Sequence, residues 1–400
     1  MIRHLLKLVW NRKRANALMI LETCVSFLVV FAVLTLGLFF LDNYRRPLGF
    51  EWKNVWEIRV GRGQSLANPD GGFAVQQATF ERLLQEVRGL GAVEAAAGSA
   101  VIPFDLGGMS SSYGINGKQV SMDVNVTADG FDKVMGLRMV AGRWFDKADS
   151  AVAFNPIVVN QALAREVYGS TDPAGKLFGE PRPGQRPFRV IGVVSEFRKS
   201  GELMPAGNFM FELRRQEGPD AGPPPHILVR IRPGTPVDFE ETLVKRMREV
   251  APEWSFTVRP LSQVRATSFR FFLTPLIAAG TLAFFLLLMV GLGLIGVLWQ
   301  NLLQRTREIG LRRAAGASRA AVHRQVILEQ LLLTTLGVTI GTLLVIQVPI
   351  LDLIGVLSRP VFAAGLALAL AVIYLLSVVC VLYPSTLAAK VQPAEALRYE

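Results

Sequence analysis

QRTREIGLRRAAGASRAAVHRQV, residues 304–326, carries six arginines (Arg305, Arg307, Arg312, Arg313, Arg319 and Arg324) between two of the most apolar runs in the chain. Placed at a bilayer centre they would cost roughly 15 kcal/mol or more, at about 2.5 kcal/mol each. The stretch is therefore a loop, and the runs on either side of it are separate spans. Composition agrees: the 400 residues are 51% hydrophobic and 19% charged, too apolar for an ordinary soluble enzyme of this length. The formal net charge of +11 comes with no RRM, zinc-finger or basic-zipper pattern, so no nucleic-acid partner is expected. The expected partner of so much apolar surface is a lipid bilayer.

Working outward, four runs reach the about 20 apolar residues that a helix needs to cross hydrocarbon: 15–41, 271–299, 326–350 and 361–383. Lysine and arginine in short loops mark the cytoplasmic side. Arg3, Lys7, Arg12, Lys13 and Arg14 precede the first run, the quoted stretch joins the second to the third, and Lys390 and Arg398 follow the fourth. The loop between the third and fourth offers only Asp352 and Arg359. Both termini and the arginine stretch are thus expected inside the cell. The first run is too long for a cleavable signal and is expected to remain as an anchor. The division that follows is 1–14 cytoplasmic, 15–41 span, 42–270 extracytoplasmic domain, 271–299 span and 300–325 cytoplasmic coupling helix and turn. After these come 326–350 span, 351–360 short outer loop, 361–383 span and 384–400 cytoplasmic tail.

The outer segment has the periodicities of a folded α/β domain. Phe80, Leu83, Leu84, Val87 and Leu90 recur at helical spacing, as do Phe239, Leu243, Met247 and Val250. Val120, Met122, Val124 and Val126 alternate as a strand does, and so do Ile227, Val229 and Ile231. IVVNQALAREVYG reads as a strand running into a short helix, and FRVIGVVSEF as a buried strand. Turns are expected at GQRP and GPDAGPPPH, with Gly218 to Pro225 an exposed loop. Cys24 and Cys380 both fall in spans, which leaves the outer domain without a disulfide.

Catalytic patterns are scarce. His4, His226 and His323 are scattered across both sides of the membrane, so no histidine-based metal site is expected. GMSSSYG at 108–114 lacks the second glycine of a nucleophile elbow. Gly175-Lys176 and Gly117-Lys118 lack both the hydroxyl residue and the earlier glycine of a phosphate loop. Neither an enzyme nor a bound cofactor is expected, and any ATP would be bound by a partner. Charged groups inside spans mark ion paths, and here only Glu22 and Glu329 occur, both toward the arginine side; a buried carboxylate relay is disfavoured. They either pair with Arg12, Arg14 or Arg324 or take part in gating. The other polar groups in the spans, such as Gln347, Thr334 and Thr335, are uncharged. Gly291, Gly293, Gly296, Gly337 and Gly341 allow close helix packing, with or without sliding.

The order of residues in the arginine stretch carries more than its charge. Gln300 to Ala315 continues the second span as a helix with Ile309, Leu311 and Ala314 apolar and Arg305, Arg312 and Arg313 charged. Gly316 suits the position that ends it, and Ser318 is placed to cap the next helix.

RTREIGLRRAAGAS resembles the signature R-x-R-E-I-G-x-x-x-A-x-G-A that follows the second span in the MacB/FtsX-like permeases of ABC transporters. VMGLRMVAGRWFD is similar to that family's G-x-x-x-x-x-G-R-x-F segment, and IVVNQALAREVYGSTDPAGKLF with RVIGVVSEFR to its N-x-x-x-A and I-G-V-V pattern. KVQPAEALRYE resembles the closing D-P-x-E-A-L-R, with Gln392 where Asp or Asn is common. The resemblance implies an α-helical membrane protein with four transmembrane helices and a large extracytoplasmic α/β domain, porter-like with a small inserted subdomain, between the first and second helices. It implies a bacterial inner-membrane location. It also implies a separate ABC ATP-binding subunit and a dimer with a second permease copy or paralogue. Arg305, Arg307, Glu308, Ile309, Gly310, Arg312, Arg313, Gly316 and Ala317 would form the ATPase-coupling element. The movement would export a drug, peptide or lipoprotein; the alternative is a signalling scaffold acting on an extracytoplasmic partner such as a cell-wall hydrolase or sensor.

Overall fold

The structure, a computed structural model, describes residues 13–62, 72–105, 107–115, 117–180, 186–213, 222–304, 311, 314–315, 318–351 and 355–390. Asn43–Phe272 forms one compact unit and the apolar helices form another.

In the outer unit, β1 (Val55–Arg62) leads to α2 (Gly72–Gly89) and β2 (Val93–Ser99). Much later in the chain, β10 (His226–Ile231) leads to α5 (Phe239–Val250) and β11 (Trp254–Pro260). The four strands lie in the order β11-β1-β10-β2 with every neighbour antiparallel. This is the double split-βαβ arrangement of ferredoxin-like modules. Its helices are fixed by the spacing that puts Phe80, Leu83, Leu84 and Val87 on one face of α2 and Leu243 and Met247 on one face of α5. All six pack on Ile58, Val60, Ile227 and Val229. Strand β10 is covered on both sides, because Leu228 points into a second core with Phe131 and Phe211.

Residues 100–225 are inserted between β2 and β10. They hold β3 (Met109–Ile115), β4 (Lys118–Thr127), α3 (Phe131–Met135), β5 (Met139–Gly142), β6 (Asn155–Asn160) and α4 (Gln161–Tyr168). The insertion ends with β7 (Leu177–Phe178), β8 (Phe188–Val194) and β9 (Phe209–Leu213). Its strands continue the sheet as β4-β9-β6-β8-β5, with β3 on β4 and β7 on β8. Among the described residues the two halves share one residue pair within the sheet, Ser99 with Thr127. In β4, Val120, Met122 and Val124 are buried while Gln119 and Ser121 are exposed, so the alternation seen in the sequence is that of a half-covered strand.

One sequence expectation is corrected. Gly218 to Ala221 lie outside the described residues, but Pro223 and Pro224 are buried rather than exposed, and the Pro225 carbonyl accepts from Val60 N at 2.9 Å. The physical reason is position: this segment leads straight into the central strand β10, and Pro224 packs against Gly98 of the neighbouring β2. Gly184 and Gln185 of the GQRP turn lie outside the described residues.

Among the described residues, four helices are long and apolar enough to cross a membrane. They are α1 (Lys13–Tyr44), α6 (Leu261–Gln304), α7 (Arg319–Val345) and α9 (Arg359–Lys390); the short α8 (Gln347–Ile350) follows α7. Helix α6 starts well before the apolar run at 271, because its first turns are amphipathic, with Leu261, Val264 and Ser268 buried and Ser262, Gln263 and Thr267 exposed. Helix α1 touches each of the other three. Phe31 meets Phe362 of α9 edge-on at 5.3 Å. Thr35 lies against Gly365 of α9, and Val33 lies near Gly280 of α6. On α7, Gly337 and Gly341 are seated on Thr23 and Phe27; a β-carbon at Gly341 would lie 2.5 Å from Phe27 Cδ1. Small residues spaced by four let two backbones approach in this way. Gly341→Leu is expected to destabilise the bundle by about 1–3 kcal/mol through overpacking, seen as a lower melting temperature of the detergent-solubilised chain. An unchanged melting temperature would contradict this seating of α1.

Candidate functional site

The nine coupling residues named from the sequence (Arg305, Arg307, Glu308, Ile309, Gly310, Arg312, Arg313, Gly316 and Ala317) lie outside the described residues. Their flanks are described. Helix α6 extends to Gln304, five residues beyond the expected end of the span at 299. Leu311 and Ala314 are helical and exposed, and Ala315 N donates to Leu311 O at 2.9 Å. Leu311 is 52% exposed, an apolar side chain presented outward on a segment otherwise rich in arginine. Ser318 caps α7, its hydroxyl accepting from Ala321 N at 3.2 Å.

Polar groups inside the bundle serve helix contacts. Thr334 of α7 donates to Ser377 of α9 at 2.8 Å, both buried, and Thr335 lies 3.0 Å from the Tyr374 hydroxyl. Ser377 and Tyr374 are three apart, on one face of α9, a spacing that could have flagged them in the sequence. Gln347 donates to Leu343 O at 3.3 Å. Glu329 accepts from Gln325 at 3.0 Å. Glu22 sits against Gly293 of α6, whose β-carbon would lie 3.2 Å from its carboxylate. Gly291 backs onto Cys380 and Leu376, whereas Gly296 has open space where its β-carbon would be. Cys24 and Cys380 are free and buried.

In the outer domain the motif residues hold the fold. Asn160 caps α4 by accepting from Leu163 N at 3.1 Å, accepts from Phe209 N at 3.1 Å, and donates to Gly207 O at 2.8 Å. Ala164, one turn on, is fully buried. Gly142 has φ +65°, and a side chain there would collide with the Ile191 carbonyl, so the neighbouring β8 can lie close only to glycine. Arg143 grips Asp149 through both nitrogens, at 2.5 and 2.7 Å, and holds that carboxyl below the usual carboxylate range. Trp144 fills the aromatic layer against Phe131, Phe145 and Phe211.

A buried charge cluster was not evident in the sequence. Glu57 on β1 accepts from Arg259 Nε at 2.9 Å and Nη2 at 2.7 Å, and its other oxygen lies 2.9 Å from His226 Nδ1. Burial acts to raise its pKa, yet the bonds from His226 and Arg259 prevail and leave it lowered. His226 and Arg259 lie 169 and 202 positions from Glu57 in sequence, so only sheet pairing brings them to it. Among the described residues no group of His, Cys, Asp and Glu could hold a metal ion.

Four apolar helices among the described residues, with an α/β domain between the first and second, define a multi-span membrane protein. The profile of the MacB-like periplasmic core domain matches residues 17–246, and that of the FtsX-like permease C-terminal region matches residues 280–393. The chain belongs to the MacB/FtsX-like family of ABC transporter permeases. The macrolide export ATP-binding/permease protein MacB of Agrobacterium fabrum is 24% identical over 397 residues, covering 97% of this chain and 59% of that protein. MacB of Bordetella avium is 28% identical over 298 residues, 70% of this chain and 44% of the relative. The chain thus spans about half the length of these curated relatives. The uncharacterized ABC transporter permease YknZ of Bacillus subtilis is 25% identical over 358 residues, 84% of this chain and 82% of YknZ. The crystal structure of the periplasmic region of MacB from Actinobacillus actinomycetemcomitans is similar with a TM-score of 0.37 at 18% identity, over 57% of this chain and 96% of that one.

Proposed function

We propose that this chain is an ABC transporter permease subunit that binds no nucleotide of its own and converts ATP hydrolysis by a separate ATP-binding subunit into movement of its outer domain. One observation carries the reading. A single helix, Leu261–Gln304, joins the last strand of the outer domain to the segment that resembles the family's docking signature. A push on Arg305 to Ala317 would pass along that helix, which contains Pro275, to the outer domain. The exposed Leu311 and the forked arginines suit a partner groove that is apolar within and lined by carboxylates. The basic flanks of the spans support a cytoplasmic location for both termini and the docking segment, in the bacterial inner membrane. Two permeases, identical or paralogous, would work with two ATP-binding subunits, and relatives named for macrolide export support export as the outcome.

Affinity capture of the full-length chain from its own membranes, with mass spectrometry of everything retained, tests this. An ATP-binding protein of the ABC class in stoichiometric amount is the expected result, and its absence in mild detergent would overturn the reading. Retention of a cell-wall hydrolase would replace export with control of that enzyme.

A further inference from the structure

We propose that the loop at residues 196–204 is the joint through which the first two membrane helices act on the inserted half of the outer domain, with Arg198 as its positioning residue. The proposal rests on the permease reading above. Arg198 is 1% exposed, and its guanidinium is spent on main-chain carbonyls. Nη1 donates to Asn43 O at 2.8 Å and to Arg46 O at 2.9 Å, which are the last turn of α1 and the residues just beyond it. Nη2 donates to Glu202 O at 2.7 Å and Met204 O at 2.5 Å, and Nε to Met204 O at 3.1 Å. One planar fork therefore clamps the end of α1 to the far side of the loop.

Main-chain contacts extend the clamp. Arg198 N donates to Leu48 O at 3.0 Å. Gly49, at φ +82°, lies so close to the Glu196 carbonyl that any side chain would overlap it. Phe197, between the two, packs on Phe50, Phe209 and Phe211 at 5.1, 4.6 and 5.0 Å. The same loop also holds the start of α6. Glu202, itself buried, accepts from Arg265 Nε at 2.6 Å, and the Arg265 guanidinium lies 4.6 Å from the rings of Trp52 and Phe269. Tyr44 meets Phe269 edge-on at 6.2 Å, which sets the end of α1 beside the start of α6.

The loop connects β8 to β9, and these strands flank β6 in the inserted half. A displacement of either helix end is thus handed to two strands of that half at once. The halves also meet directly, through Ser99 with Thr127, the main-chain bonds of Ala100 to Val126 and Ala128 to Gly98, and the packing of Leu228 on Phe131 and Phe211, so the clamp adds a second, separate route into the inserted half. The inserted half is tied by the clamp to the end of α1 and the start of α6, and the split module by direct chain connection at β1 and β11.

The test is a pair of distance measurements by spin labelling of the full-length chain in nanodiscs, with Cys24 and Cys380 replaced by alanine. Labels at Gln263 and Leu177 span the joint; labels at Ser110 and Leu177 lie within the inserted half. Arg198→Lys is expected to broaden the first distribution about twofold while leaving the second unchanged, because lysine keeps the charge and loses the fork. Arg265→Gln, at the more exposed limb of the joint, is expected to do the same to a smaller degree and carries the test if Arg198→Lys does not fold. An unchanged first distribution would overturn the proposal. So would equal broadening of both, which would mean Arg198 only stabilises the inserted half. Neither measurement needs a nucleotide, so failure to retain an ATP-binding subunit would remove the permease reading while the joint stood or fell on its own.

Discussion

Replacing Glu308 with lysine, or Gly310 with proline, is expected to abolish retention of the ATP-binding subunit while leaving the chain inserted in the membrane. The two substitutions act by different physics. Glu308 is the acidic residue among Arg305, Arg307, Arg312 and Arg313, and on a helix it lies one turn from several of them. Lysine there turns a mixed surface into a uniformly basic one and places a repelled charge wherever the partner offers a cation to Glu308. Proline at 310 removes a main-chain donor and clashes with the carbonyl four residues back, at about 3 kcal/mol or more. That energy would be taken from the alignment of Ile309, Leu311 and Ala314, and about 3 kcal/mol corresponds to roughly a hundredfold in affinity. Co-purification and ATPase stimulation in nanodiscs measure the loss, and protease protection of the outer domain checks insertion. Normal retention with both variants would remove Arg305 to Ala317 from the docking role. Retention lost only with proline would leave helix shape, rather than the carboxylate, as what the partner reads.

Sequence reasoning reached the elements whose burial is periodic, and stopped where structure depends on distant pairing. Val120, Met122 and Val124 announced β4, and IVVNQALAREVYG announced a strand running into a short helix, because each signal is local in the sequence. The amphipathic beginning of α6 was hidden from a hydropathy reading, since the exposed Ser262, Gln263 and Thr267 alternate with the buried Leu261, Val264 and Ser268. Arg198 gave no sign of its burial, because an arginine in a loop ordinarily faces water and nothing nearby marks four waiting carbonyls. His226 looked isolated, and only the antiparallel pairing of β1 with β10 sets it beside Glu57. The arginine stretch was the reverse case. Its residue order was legible as a motif, while its nine named positions fall outside the described residues.

Glu57→Gln is expected to lower the stability of the outer domain by about 3 kcal/mol at neutral pH, the scale for breaking one partner out of a buried ion pair. The Glu57 side chain has no exposed surface, and its two oxygens serve His226 and Arg259 at 2.7 to 2.9 Å. An amide keeps the shape but presents a donor where a carboxylate oxygen now accepts, and the Arg259 charge loses its counter-charge. The pH dependence gives the sharper check. Burial alone would hold the Glu57 pKa above its ordinary 4.5, but the bonds from His226 and Arg259 bring it below. A group whose pKa is depressed on folding contributes stability that is present above the unfolded pKa and lost as pH falls through the folded one. The wild-type chain is therefore expected to lose melting temperature as pH falls from about 4.5 downward through the lowered Glu57 pKa. Glu57→Gln is expected to start lower and to lose less across that window, since the titrating group is gone. Tryptophan fluorescence melts of the full-length chain at stepped pH measure both slopes. Parallel slopes would mean that Glu57 titrates alike in folded and unfolded chain, and that His226 and Arg259 are neighbours of the carboxylate without stabilising its charge.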